Sequence, residues 1–204
     1  MNNTKENILN VALKLFAKSG FEAVSVSDIS GELGITKGAL YKHYKNKRDI
    51  LDSIVAKMVE IDAERSCLHN VPKDSFEENP EPYADVSVEN FKDFTVSQFG
   101  FWTENEFAAD FRKMLLLEQF RNPSMAEFYR NCISEGPVDY TEKIFAAMAE
   151  RGALKKCNPR LLALEFYSPL FLLIAISDGK RDKTPYLNEL KEIIDNFFEK
   201  YKEN

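Results

Sequence analysis

Apolar residues recur at helical spacing along nearly the whole of this 204-residue chain, and no stretch alternates convincingly between apolar and polar residues as a strand would. The first such segment starts near Asn3 or Thr4 and ends at Gly20, a residue type that commonly follows the last turn of a helix. The same periodicity resumes further along, at about residues 88–102, 106–120, 123–135, 137–151, 159–177 and 185–201. The pattern predicts an all-α protein of nine to ten helices.

Two short helices joined by a tight turn are predicted between residues 25 and 44. Ser25 and Asp28 have the spacing of a capping box, which begins a helix, and Gly34 permits a sharp turn into a second helix from about Thr36 to Tyr44. The apolar residues of both helices fall on one shared face: Val26, Ile29, Leu33, Ile35, Leu40 and Tyr44. A longer connecting helix follows over residues 47–66, capped by Asn46. This arrangement is typical of a helix–turn–helix.

Residues 69–87 interrupt the periodicity. Pro72, Pro80 and Pro82 lie there among several acidic residues, which predicts a loop or connector.

The distribution of charge matters more than its total. The chain has 27 basic and 33 acidic side chains and a net charge of -6, which argues against a nucleic-acid partner. However, residues 1–50 contain eight basic and five acidic residues, which leaves 19 basic and 28 acidic residues in the remainder. Thr36 to Arg48 holds five basic residues and no acidic one. Salt confines the field of a charge to about 8–10 Å, so this basic segment can bind phosphate whatever the charge elsewhere.

The basic segment coincides with the second short helix. With Leu40 and Tyr44 facing inward, Lys37, Gly38, Tyr41 and Lys42 are expected to face outward. Small residues such as Gly38 and Ala39 allow a helix to lie close to base edges in a major groove. The alternative is a small helical bundle whose lysines are merely solvated.

Residues 25–44, SVSDISGELGITKGALYKHY, followed by Lys45-Asn46-Lys47, closely resemble the DNA-binding domain of TetR-type (tetracycline-repressor-like) transcriptional regulators, and the segment ending in LFAKSGF at Phe21 resembles that family's first helix. The resemblance covers roughly residues 5–60. It implies that Lys37, Gly38, Ala39, Tyr41 and Lys42 approach bases and that Ser27, His43 and Lys47 contact phosphates. Ser25 and Thr36, which begin the two helices, complete the candidate DNA-binding set.

Few residues are arranged for catalysis or metal binding. The three cysteines and two histidines form neither a C-x-x-C pair nor an H-E-x-x-H motif, and no G-x-S-x-G, Walker or G-x-G-x-x-G sequence occurs. We therefore predict no catalytic residue, metal or cofactor. The N-terminus lacks the features of a signal peptide, and the most apolar run, Leu161 to Ile176, is shorter than the roughly 20 residues of a membrane span and contains Glu165 and Pro169. A buried helix in a soluble, cytoplasmic protein is expected.

The remainder of the chain is predicted to bind an effector and to dimerise. The helix that contains Leu161 to Ile176 is apolar on nearly every side and must be covered on every face, which packing against a second copy in a homodimer would achieve. The predicted interface comprises Leu164, Phe171, Leu187, Leu190, Ile194, Phe197 and Tyr201. An apolar or aromatic effector is assigned a candidate pocket of Phe94, Phe101, Trp102, Phe111, Leu115, Glu118, Phe128, Glu165 and Phe166, although plain core packing is the alternative for each aromatic residue. The two glutamates are included because a buried carboxylate needs a partner.

These observations predict a DNA-binding domain over residues 1–48 and an effector-binding and dimerisation domain over residues 49–204. The predicted function is a dimeric repressor that binds a palindromic operator in double-stranded DNA and is released by a small-molecule effector. The alternatives are a constitutive DNA-binding protein without a ligand and an enzyme whose site is not recognisable.

Overall fold

The computed structural model describes residues 4–72 and 81–203, and within these ranges the chain forms eleven α-helices. Their bounds are α1 (Thr4–Ser19), α2 (Val26–Glu32), α3 (Lys37–Tyr41), α4 (Lys47–Leu68), α5 (Glu81–Ala84), α6 (Val88–Glu104), α7 (Glu106–Glu118), α8 (Pro123–Ile133), α9 (Glu135–Glu150), α10 (Pro159–Ser177) and α11 (Thr184–Tyr201). The predicted all-α class is confirmed. The extra helix is α5, which lies in the segment predicted as a loop, while Pro80 and the acidic residues just before it lie outside the described residues.

The chain divides into two compact units. The first contains Met1–Asp62 and Glu106–Tyr129, and the second contains Ala63–Asn105 and Arg130–Asn204. This division does not coincide with the boundary predicted after residue 48, because α7 packs against α1 and so joins the N-terminal helices. A boundary predicted from local sequence could not include α7, which begins more than 80 residues after the end of α1.

The core of the first unit is built on the apolar face of α1. Ile8, Ala12 and Phe16 are completely buried, as are residues on the other helices of the unit: Ile29, Leu40, Ile50, Leu51, Ile54, Met114 and Leu115. Lys57 of α4 donates a hydrogen bond to Glu6 of α1 at 2.8 Å, and its ammonium nitrogen lies 4.7 Å from the ring centre of Phe107. Thus α1, α4 and α7 are held together by both apolar and polar contacts.

An aromatic cluster fills the core of the second unit. Phe145 stacks on Phe197 with ring centres 5.4 Å apart, and Phe166 meets the edge of Phe197 at 5.0 Å. Phe91 and Phe198 complete the cluster, each within 6.1 Å of Phe145. These contacts pack α6, α9, α10 and α11 around one aromatic core, because offset and edge-on ring pairs combine large apolar burial with favourable electrostatics.

Within the single chain, helix α10 is buried on one side only. Its exposed apolar residues lie within one broad face of the helix: Leu161, Leu164, Phe171, Leu172 and Ile176. Among the described residues, α10 is the one helix whose length and composition would allow it to cross a membrane, and 39% of that apolar window is buried. The sequence pattern showed that every side is apolar but could not show which side the chain itself covers.

Candidate nucleic-acid interface

The first helix of the predicted pair begins at a complete capping box. The Asp28 main-chain N–H donates to the Ser25 hydroxyl oxygen at 3.2 Å, and Asp28 Oδ2 accepts from both the main-chain N–H and the hydroxyl of Ser25 at 2.7 Å. These hydrogen bonds hold the pKa of Asp28 below its usual value. The predicted capping box is confirmed. Because the hydroxyl hydrogen of Ser25 is directed to Asp28, this residue stabilises the start of α2 in the structure.

The turn between the two helices depends on Gly34. Its φ angle is +65°, a left-handed conformation that glycine adopts without steric cost. The Thr36 hydroxyl then accepts the main-chain N–H of Ala39 at 3.1 Å and caps α3. Helix α3 ends at Tyr41, earlier than the predicted Tyr44, and residues up to Tyr44 continue as hydrogen-bonded turns on the Leu40 carbonyl.

Helix α3 divides sharply into a buried and an exposed side. Leu40 is completely buried and Tyr44 nearly so, with its hydroxyl donating to the Lys5 carbonyl at 3.1 Å. We use the term reading surface for the candidate residues on the outside of α3 and at the start of α2: Ser25, Ser27, Thr36, Lys37, Gly38, Ala39, Tyr41, Lys42 and His43. All are exposed except Ala39, which is half-buried. The side chain of Tyr41 is 50% exposed although it is aromatic.

Lys47 differs from the other basic candidates. Its ammonium group donates to the main-chain carbonyl of Phe21 at 2.6 Å and lies 4.3 Å from the centre of the Phe21 ring, with a longer contact of 3.4 Å to the Glu22 carbonyl. The side chain is half-buried. In the structure Lys47 therefore joins the start of α4 to the segment between α1 and α2, a structural contact that the resemblance did not imply.

The main-chain N–H of Phe21, like its carbonyl, is hydrogen-bonded to a side chain of another helix. Its N–H donates to Oε1 of Glu118, at the end of α7, at 2.8 Å, and Glu118 is 2% exposed. The preceding residue, Gly20, has a φ angle of +84°, and a Cβ atom placed there would lie 2.9 Å from the same carboxylate oxygen. Glu118 was predicted to be buried with a partner, and the partner is this peptide of the first unit. A glutamate within an apolar run signalled a buried carboxylate, but no sequence signal identified Phe21.

Glu165, the other predicted pocket glutamate, is exposed on α10, so its predicted burial is wrong. Its carboxylate accepts from Lys200 Nζ at 2.8 Å and from the Tyr201 hydroxyl at 2.7 Å. These hydrogen bonds lower the pKa of Glu165 and raise the pKa of Lys200. An apolar neighbourhood in sequence misled the prediction because Glu165 lies on the uncovered side of its helix.

The aromatic pocket candidates are divided between the two units. Phe111, Leu115 and Phe128 lie in the first unit, where the first two are buried in the core on α7. Phe94, Phe101, Trp102 and Phe166 lie in the second unit; Phe166 belongs to its aromatic cluster, and the Phe101 ring lies beneath the guanidinium of Arg65 at 3.9 Å. The structure thus places Phe111, Leu115 and Phe166 in packed cores.

A separate depression of about 260 Å³ lies in the second unit. Its lining is mixed and mostly charged: Val88, Glu89, Lys92, Ala153, Asp195, Phe198, Glu199 and Lys202. Lys92 and Asp195 form an ion pair across it at 2.5 Å. None of these residues belongs to the predicted pocket, and both lysines of the lining are already paired, Lys92 with Asp195 and Lys202 with Glu199.

The predicted dimer residues fall into two groups. Leu190, Ile194 and Phe197 are buried in the core of their own unit, so their assignment to an interface is wrong, because α11 uses them to pack against α10 and α6. Leu187 and Tyr201 are half-buried. Leu164 and Phe171 are exposed on α10, where Leu161, Leu172 and Ile176 extend the same face.

Comparison with known proteins identifies the N-terminal region. The sequence pattern of the family described as "Bacterial regulatory proteins, tetR family" matches residues 8–54. The uncharacterised HTH-type transcriptional regulator YerO of Bacillus subtilis is 47% identical over 51 residues, which are 25% of this chain and 18% of that protein. The chain thus matches less than a fifth of this relative's length.

Solved structures are similar along almost the entire chain. The ketosteroid transcriptional regulator KstR2 of Mycobacterium tuberculosis superposes with a TM-score of 0.70 at 13% identity, over 100% of this chain and 97% of that one. SmeT in complex with triclosan gives a TM-score of 0.67 at 19% identity, over 98% and 92% of the two chains. At these identities the likeness establishes the fold. Residues 8–54 therefore form a helix–turn–helix region of the kind found in the tetR family of bacterial regulatory proteins, within a chain that shares the fold of these solved regulators.

Proposed function

We propose that the protein is a transcriptional regulator that binds a palindromic operator as a homodimer through the reading surface and is released by a small-molecule effector. The observation that carries this proposal is the division of α3 into a buried Leu40 and an exposed side bearing Lys37, Gly38, Tyr41 and Lys42. A surface that combines cations with small residues suits the major groove, because cations contact phosphates and guanines while small residues allow close approach.

Homodimerisation is supported by the exposed face of α10. Leu161 is 63% exposed and Leu172 58% exposed, which is unusual for leucines of the same continuous helix. Ile193 of α11 is exposed as well. A second copy related by a two-fold axis would cover both helices in a four-helix arrangement. A bilayer suits this face less well, since Glu165 lies on it with its Lys200 partner.

Release by an effector is supported by two observations. The second unit carries aromatic residues on α6 that lie outside its main cluster, among them Phe101 and Trp102, which contact each other at 5.0 Å. SmeT, which shares the fold, binds triclosan and is described as the repressor of a multidrug efflux pump of Stenotrophomonas maltophilia. An apolar or aromatic effector is therefore the first class of ligand to test.

The proposed mechanism has two states that differ in the separation of the two reading surfaces of the dimer. Helix α4 runs from Lys47 in the first unit into the second unit, so a shift of this helix would change that separation. A hundredfold change in operator affinity corresponds to about 2.7 kcal/mol of differential effector binding.

Selection of bound sequences from a random pool of double-stranded DNA tests the proposal. We expect an inverted repeat whose half-sites are separated by about one helical turn or more. Enrichment of no sequence, or of a single unrepeated site bound by a monomer, would contradict it.

A thermal-shift measurement with triclosan and related aromatic compounds, followed by titration of the selected DNA, tests the effector. Stabilisation of the protein together with release of DNA supports a ligand-responsive regulator. Binding of DNA that no compound alters supports a constitutive DNA-binding protein instead.

A further inference from the structure

Side chains from two helices hold the main chain of a single residue, Phe21, between α1 and α2. Glu118 of α7 accepts the N–H of Phe21 at 2.8 Å, and Lys47 of α4 donates to the carbonyl oxygen of the same residue at 2.6 Å. The Phe21 ring packs edge-on against Phe16 at 5.1 Å. We call this arrangement the Phe21 junction. Both main-chain polar groups of Phe21 are therefore bonded to side chains that belong to other helices.

The chemistry of the junction favours a fixed geometry. Glu118 is almost fully buried, so a carboxylate that lost the Phe21 N–H would lose a hydrogen bond that bulk water cannot easily replace. The carboxylate also approaches Gly20 so closely that a Cβ atom there would lie 2.9 Å from Oε1. Glycine at a φ angle of +84° is thus required twice, for its backbone conformation and for the space it leaves.

The two helices that hold Phe21 are also the ones at which the chain leaves the first unit and returns to it. Helix α4 crosses from the first into the second unit after Asp62, and the chain returns at Glu106 to form α7. In the other direction along the chain, Phe21 is followed within four residues by Ser25, which caps α2 and belongs to the reading surface. The junction thus connects α2 and α3 with both α4 and α7.

We propose that Glu118 is a positioning residue for DNA binding, which together with Lys47 fixes the main chain at Phe21 and thereby the orientation of α2 and α3 relative to α4 and α7. This inference rests on the proposed function. Because α4 continues from the first unit into the second, which carries the proposed dimer face, a fixed orientation of α2 and α3 on α4 would narrow the range of half-site spacings that the dimer binds. Loss of the junction lowers affinity for the correct spacing because the reading surface must then be ordered during binding.

The test uses full-length variants and the inverted repeat that the wild type selects from random DNA. Glu118→Leu removes the acceptor, whereas Glu118→Gln keeps an oxygen that can accept the Phe21 N–H. Glu127→Leu is the matched control, because Glu127 is exposed on α8 in the same unit. Affinity is measured for the selected repeat, for repeats with the half-sites moved by one or two base pairs, and for random DNA at the same salt concentration.

We expect Glu118→Leu to lose about tenfold or more in affinity for the selected repeat, as for a lost hydrogen bond to a charged group, and to discriminate less between spacings. Affinity for random DNA should change by less than about twofold, because nonspecific binding depends on the lysines that remain. Glu118→Gln should regain most of the spacing preference, and Glu127→Leu should behave as the wild type. A wild-type spacing profile for Glu118→Leu would overturn the inference, as would an equal loss for Glu127→Leu.

Lys47→Met provides a second variant should Glu118→Leu fail to fold, since it breaks the junction on the carbonyl side and leaves the buried carboxylate paired. It should loosen the spacing preference in the same way, and an unchanged preference would overturn the inference. If the wild type itself selects no repeat, the proposed function fails. If the wild type selects a repeat and both variants keep the wild-type preference for half-site spacing, only the proposed role of the Phe21 junction is refuted.

Discussion

Asp28 Oδ2 accepts two hydrogen bonds from Ser25, one from its main-chain N–H and one from its hydroxyl, both at 2.7 Å. Both hydrogen bonds are stronger to the ionised carboxylate than to the neutral acid, so they hold the pKa of Asp28 below its usual value. Helix α2 is only seven residues long, so its start depends on this cap.

The capping box predicts a specific dependence on pH. A carboxyl whose pKa is lower in the folded than in the unfolded state contributes stability at pH values above the unfolded pKa, and this contribution disappears as the pH falls through the folded pKa. Asp28→Asn should therefore be less stable than the wild type at pH 6, and the difference should shrink below about pH 4. Urea denaturation of the wild type and the variant at several pH values measures the difference in stability and its dependence on pH. A difference that stays constant down to pH 3 would show that the charge of Asp28 does not stabilise the cap.

Leu40 is the residue that fixes α3 to the first unit. Its side chain is completely buried on a helix of five residues, so Leu40→Ala should destabilise the protein by about 2–5 kcal/mol. The neighbouring substitution Tyr41→Ala should cost less than about 1 kcal/mol, because Tyr41 is half exposed, yet it should weaken DNA binding. Thermal denaturation and DNA titration of both variants separate the two roles. The assignment of the two faces of α3 fails if Tyr41→Ala is the more destabilising change.

Lys42 is predicted to read sequence. It is exposed on the reading surface, and Lys42→Ala should lower affinity for the selected repeat by about tenfold while altering the preferred bases at one position of each half-site. Lys14→Ala, which removes an equal charge from an exposed position on α1, serves as control. Equal losses on selected and random DNA for Lys42→Ala would assign it to phosphate binding alone.

The dimer face of α10 is testable without disturbing the core. Truncation before α11 is unsuitable, because it would remove Leu190, Ile194, Phe197 and Phe198 from the core of the second unit. The double substitution Leu161→Glu with Leu172→Glu should instead give a folded monomer, since each side chain is more than half exposed in the single chain. Light scattering measures the mass and circular dichroism the helix content. Leu68→Glu, at an exposed leucine of α4, should remain dimeric. A dimer that survives the double substitution would refute this interface.

Local signals in the sequence predicted the elements well. Ser25 and Asp28, Gly34, Thr36 and Asn46 each mark a helix end or a turn through contacts within four residues, and the structure contains all of these contacts. The buried and exposed sides of α3 followed from the same periodicity, because Leu40 and Tyr44 share one face.

Contacts between distant segments could not be predicted in this way. Phe21 and Glu118 are 97 residues apart. The resemblance implied a phosphate contact for Lys47, and its contact with the main-chain carbonyl of Phe21 could not be predicted because a main-chain carbonyl has no signature in the sequence. For a related reason, Glu165 was predicted to be buried but is exposed, and Phe197 was predicted to lie at a dimer interface but is buried in the core. Periodicity shows that a helix has an apolar side, but it does not show which neighbour covers that side.

The inclusion of α7 in the first unit limits how freely this DNA-binding region can be exchanged between proteins. A chimaera that received only residues 1–62 would bring Gly20 and Phe21 without the carboxylate that their geometry accommodates. Recombination within such proteins would therefore be expected to preserve α1 and α7 as a compatible pair, although five helices separate them along the chain. The segments that together support DNA recognition are then discontinuous in the sequence. A design that changes the DNA sequence specificity should either transfer both segments or confine its substitutions to α2 and α3.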